Sequence, residues 1–65
     1  MATGALIALA VAEANARPEL QGAPNASYFA FLGYWSMQTR IYDYEELGAA
    51  LVKAGAHIRV YRKRV

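Results

Sequence analysis

Sixty-five residues without a cysteine make a single domain, 1–65, with no disulfide or thiolate metal site to support a core of limited size. The net charge of +2 falls short of a typical nucleic-acid-binding domain, and it is unevenly spread. Arg59, Arg62, Lys63 and Arg64 crowd the C-terminus without an acid, while Arg17, Arg40 and Lys53 are outnumbered elsewhere by Glu13, Glu19, Asp43, Glu45 and Glu46.

The 57% apolar fraction exceeds the about 45–50% usual for soluble domains. Part of the excess is Ala, and the surplus apolar surface suggests a partner or self-association. Absence of cysteine fits a reducing, cytoplasmic setting.

Ala5 to Ala12 is an apolar run, and Ala10-Val11-Ala12 has the small-x-small form of a cleavage site. No positive residue precedes Gly4, which argues against a secretory signal. The run is also too short for the about 20 residues of a membrane-spanning helix. An Ala-rich helix from Thr3, as N-cap, to Ala16 is expected, stopped by Pro18 because a residue before proline avoids the α region. Leu6, Ala10 and Ala14 share one side of it, with Ile7 and Val11 adjacent. A buried strand over 5–11 is the alternative, disfavoured by the Ala content.

Residues 17–26 hold Pro18, Pro24, Gly22, Gln21 and Asn25, the composition of a loop. Asn25-Ala26-Ser27 matches a glycosylation acceptor, a short pattern without weight in the absence of a secretory signal.

From Ser27 to Tyr42 the reading is of period two. Phe29, Phe31, Gly33, Trp35, Met37 and Ile41 occupy odd positions, which predicts strands. Gly33-Tyr34 suits a Gly-first two-residue turn, giving a hairpin with strands near 28–32 and 35–41, although one long strand satisfies the same pattern.

The next element carries both of its end signals. Asp43 stands three residues before Glu46, the capping-box spacing, and Gly55 supplies a left-handed C-terminal cap. A helix from Tyr44 to Ala54 follows, burying Leu47, Ala50, Leu51 and Ala54, with Tyr42 able to staple against Leu47 and Lys53 favoured in the last turn. Finally Ala56, Ile58 and Val60 alternate with His57, Arg59, Tyr61 and Lys63, which predicts an amphipathic edge strand. The expected fold is therefore α+β, in the order α-β-β-α-β (or α-β-α-β), with a largely antiparallel sheet of two or three strands packed against two helices.

Chemistry is sparsely indicated. Asp43, Glu45 and Glu46 are the only carboxylate cluster, and their place at a helix N-terminus accounts for them through the dipole and the free N–H groups. His57 has no second imidazole, thiol or acid near it in sequence, and neither the hydroxyls nor the glycines form a nucleophile or phosphate-loop motif. The expectation is a non-enzymatic protein with no catalytic residue, metal or cofactor.

Five Tyr, one Trp and two Phe exceed what so small a core encloses, and Tyr, Trp and Arg are the residues enriched at interface hot spots. This predicts a module that binds another protein or complex, or itself as a homo-oligomer, through Tyr28, Tyr34, Arg59, Tyr61, Arg62, Lys63 and Arg64. An alternative is nucleic-acid binding by Arg59, Tyr61, Arg62, Lys63 and Arg64, with cations on phosphates and a Tyr ring on an unstacked base. Another is an accessory subunit of a large or membrane-embedded complex. A short chain without motif or cysteine fits the profile of phage and mobile-element accessory proteins, including stoichiometric inhibitors of the anti-CRISPR kind.

Overall fold

A computed structural model describes residues 2–62. They form helix α1 (Thr3–Ala16), a single 3-10 turn (Pro18–Leu20), α2 (Ala26–Thr39) and α3 (Tyr44–Lys53), followed by an irregular segment over 56–62. No strand occurs among the described residues. The expected α+β order and its sheet are thus corrected to a small all-α domain.

The decisive difference lies in 27–42. Asn25 accepts the backbone N–H of Tyr28 at 2.8 Å, capping a helix where a glycosylation pattern had been noted. The buried residues of α2 are Tyr28, Phe31, Leu32, Trp35, Ser36 and Thr39, which recur at the three- and four-residue spacing of one helical face. Phe29 and Met37, assigned by the period-two reading to the same side as Phe31 and Trp35, are exposed. Nearly every residue from Tyr28 to Trp35 is apolar, so both periods can be traced through that stretch.

Gly33 is not a hairpin turn. It sits inside the helix, where a Cβ would approach the Tyr44 hydroxyl to 3.1 Å, so its missing side chain admits α3. The buried Ser36 and Thr39 hydroxyls donate within the helix itself, Ser36 to the Gly33 carbonyl at 2.9 Å and Thr39 to the Trp35 carbonyl at 2.7 Å. Arg40 ends the helix in the left-handed region at φ 64°.

Helix α1 has the predicted span, but Ala2 is its N-cap and Thr3 its first helical residue. Ala10 and Ala14 are fully buried, with Leu6, Ile7 and Val11 packed against the core at its edge. The 17–26 connection is more ordered than its composition suggests. Leu20 is fully buried, and Gln21 donates to the Ala14 carbonyl at the end of α1 at 3.0 Å, adding to the bond that carbonyl accepts from the Arg17 N–H.

In α3 the Asp43 carboxylate accepts the N–H groups of Glu45 and Glu46 at 2.9 and 3.4 Å. At the other end Gly55, at φ 111°, donates to Val52, and Ala56 donates to Leu51. That pair of bonds is a Schellman cap, with Ala56 and Leu51 supplying its hydrophobic contact. Leu47, Gly48 and Leu51 are buried, but Ala54 is exposed, and Tyr42, 68% exposed, makes no staple.

Helices α1 and α2 run antiparallel, because Thr3 and Leu6 line one cleft with Gln38 and Thr39 while Glu13 and Arg17 line another with Ser27 and Phe31. Helix α3 packs on both. The final segment keeps the predicted alternation, with Ala56 and Ile58 buried and His57 and Arg59 exposed, but without a strand. After Ala56, side chains take its backbone bonds: the His57 N–H donates to Asn15 at 2.7 Å, and the Arg59 carbonyl accepts from the Tyr28 hydroxyl at 2.7 Å. With 27–39 helical, no strand remains for it to pair with.

Two outcomes follow from these contacts. Replacing Asp43 by Ala removes the α3 cap and costs about 1 kcal/mol, lowering the melting temperature, whereas Asp43→Asn retains most of it. Tyr28→Phe loses the bond to Arg59, at a cost of about 1 kcal/mol. Burial also pushes the Tyr28 hydroxyl above its ordinary pKa, so the folded state holds this proton more tightly than the unfolded chain. Its stabilisation is complete below the unfolded value of about 10 and is lost as pH rises toward the higher folded value. Denaturant titrations from pH 8 to 11.5 should show an alkaline decline that is reduced in Tyr28→Phe.

Candidate protein-binding face

Helix α2 contains no charged residue on any side. Its inner face is consumed by the core, and its outer face exposes Ala26, Ala30, Tyr34 and Met37, with Phe29 on one flank. Tyr34 is 57% exposed and Met37 72%. A surface helix normally carries charges opposite its apolar stripe, and α3 does so with Glu45, Glu46 and Lys53. Helix α2 departs from that rule along its whole length, leaving an apolar ridge in solvent.

Beside the ridge, on the α1 side, lies an open cleft of about 350 Å³ lined by Glu13, Arg17, Ser27, Ala30, Phe31, Tyr34 and Trp35. Tyr34 and Trp35 meet edge to face, with ring centroids 5.1 Å apart. The indole N–H of Trp35 donates to Glu13 Oε1 at 3.1 Å, and Arg17 donates to Glu13 Oε2 at 2.7 Å and to Glu19 at 3.0 Å. The Arg17 pKa is raised, first by the bond to Glu13 and then by that to Glu19. The Glu19 carboxyl is lowered, chiefly by a hydrogen bond from its own backbone and secondarily by Arg17.

The residues expected to bind a partner are not gathered in one place. Tyr28 is completely buried and presents nothing to a partner, which corrects its expected place among the binding residues. Tyr34 is exposed as expected. Tyr61 is half-buried and packs edge to face on Phe29 at 5.3 Å. Phe29 and Tyr34 are five residues apart, about 140° around the helix, so Tyr61 lies on the flank away from the Tyr34 cleft. Arg59 and Arg62 are exposed, with Arg62 3.8 Å from Glu45. Lys63 and Arg64 lie outside the described residues.

Sequence reasoning missed Glu13, Arg17, Ala30 and Met37. The uninterrupted absence of charge over 26–39 was the available signal for the ridge, and the i,i+4 spacing of Glu13 and Arg17 was the signal for the ion pair. Compared with known proteins, the chain matches no family model, no curated protein and no solved structure. No helix among the described residues is long and apolar enough to cross a membrane.

Met37 stands in solvent, so Met37→Lys should change unfolding free energy by no more than about 0.5 kcal/mol, whereas Tyr34→Ala also loses the edge-to-face contact with Trp35 and should cost about 1 kcal/mol. Chemical denaturation followed by circular dichroism measures this directly.

Proposed function

We propose that this domain acts without catalysis, by binding stoichiometrically to another protein or protein complex through the outer ridge of α2. One observation carries the reading: a 14-residue helix with no charge on either face, of which its own core uses only one. Ala26, Ala30, Tyr34 and Met37 follow each other at the spacing of anchors on one helical face, the arrangement that lays a helix into an apolar groove. Small Ala26 and Ala30 permit close approach, while Tyr34 and Met37 supply the large contact area typical of interface centres.

Dimensions favour a groove in a larger partner over a flat contact with a second copy. A 14-residue helix is about 21 Å long and about 10–12 Å across. Its ridge alone is far smaller than the about 800 Å² per partner of a standard interface. Walls rising on both sides would add the Phe29–Tyr61 flank and the Tyr34 cleft to the contact. The clefts beside α1, one edged by Glu13 and Arg17 and the other by Arg40, carry charge where a groove for this apolar ridge would be uncharged.

The test is affinity capture from an extract of the source cell with wild type, Tyr34→Ala and Met37→Lys. The expected result is a protein retained in near-equimolar amount by wild type and lost in Met37→Lys, with a reduction of at least about 30-fold in affinity for Tyr34→Ala, as for a hot-spot residue. Equal retention by all three rejects the ridge. Retention of nucleic acid alone, released by salt, would favour the basic C-terminal segment instead.

A further inference from the structure

Resting on that reading of the α2 ridge, we infer that the adjoining cleft receives a lysine or arginine side chain of the partner protein. The acceptors of the cleft set the sign. Glu13 and Arg17 line it and balance each other, while Glu19, outside the lining, also holds Arg17, so the three groups together sum to −1. Its Nε and one terminal nitrogen are already committed to those carboxylates, and an arriving anion would have to lie beside both acids. A cation also meets Arg17, but it finds acceptors with capacity left. Each Glu13 oxygen accepts one bond, from Trp35 or from Arg17, and a carboxylate oxygen has room for a second.

The aromatic wall points the same way. Trp35 supports Tyr34 edge to face, which holds the more exposed ring in place at the cleft mouth. A cation over such a ring is attracted by its quadrupole, and the alkyl stem of Lys or Arg lies on the apolar surface of Ala30. An uncharged aliphatic chain would gain only the second of these contacts. The cleft is also open and near the lower end of the about 300–1,000 Å³ of enclosed ligand pockets. That shape suits a side chain projecting from a larger body, at the rim of the groove that takes the ridge.

Trp35 is the only tryptophan, so its indole N–H gives one unambiguous signal in a ¹H–¹⁵N spectrum of the full chain. The probes are N-acetyl-arginine methylamide and N-acetyl-lysine methylamide, with the norleucine and glutamate counterparts as controls. A saturable shift of the Trp35 indole with the two cationic probes, absent with both controls, is expected at millimolar concentrations. Glu13→Gln keeps an acceptor for Trp35 but removes the charge, and should weaken that response about two- to fivefold, the range of an exposed ion pair. Tyr34→Ala should weaken it as well, without disturbing the fold.

Equal shifts with all four probes, no shift with the cations, or a response unchanged in Glu13→Gln overturns the inference. Because no partner is present in this titration, the two ideas fail separately. A null titration beside capture that still depends on Met37 removes the cation site alone. Capture that ignores Met37→Lys removes the docking reading, and with it this proposal, whatever the titration shows.

Discussion

The constraint on which the rest depends is the burial of one face of α2. Tyr28 stands at the centre of that face with no exposed surface, and a buried hydroxyl requires an acceptor. It finds one in the Arg59 carbonyl, which draws the C-terminal segment across the helices and seats Ile58 and Ala56 in the core. The remaining elements close around the same face: α1 through Ala10 and Ala14, the 3-10 turn through Leu20, and α3 through Leu47 and Leu51. A domain of this size has no second core, so losing this packing would leave little else to hold it.

The polar contacts that hold the periphery are few and specific. Asn15 is the clearest case, because its amide bridges two residues of the chain's far end, accepting from His57 N–H and donating to the Gly55 carbonyl at 3.1 Å. In this way the last turn of α1 and the cap of α3 are joined by one side chain. Glu13 plays a similar part between α1 and α2 by accepting from both Arg17 and Trp35. The same carboxylate that ties the helices together is also the one acid among the residues lining the adjacent cleft.

This economy decides what the surface looks like. The charges are spent at helix ends, on α3 and on the C-terminal segment, where they cap, pair or complement a dipole. The outer faces of α1 and α2 receive almost none. On α1 the exposed residues are mainly alanines with Leu9, while on α2 they include Tyr34 and Met37. A protein that worked alone in water would gain nothing from an uncharged helix facing solvent. The proposed use of α2 as a docking ridge follows from that imbalance and from the larger side chains it displays.

Much of the local structure was legible before any coordinates. The limits of α1, the capping of α3 by Asp43 and its termination at Gly55 follow from backbone chemistry that acts within a few residues: proline's exclusion of the preceding α conformation, a carboxylate accepting orphan N–H groups, and glycine's tolerance of positive φ. The inward alternation of Ala56 and Ile58 was legible too, since it depends only on which side chains are apolar, but it stops at Val60 and Tyr61, both half-buried. The state of 27–42 was not. The almost wholly apolar run from Tyr28 to Trp35 satisfies a period of two and a period of 3.6 alike, and Gly33 reads as a turn until Tyr44 is known to need its space. Packing made that choice, by bringing Tyr28, Leu32 and Trp35 together on one side, and it thereby removed the partner that a C-terminal strand would have required. It also made Tyr28 a core residue and left Tyr34 and Met37 outside. Nothing in the identity of an aromatic or a methionine says which side of a helix the core will occupy.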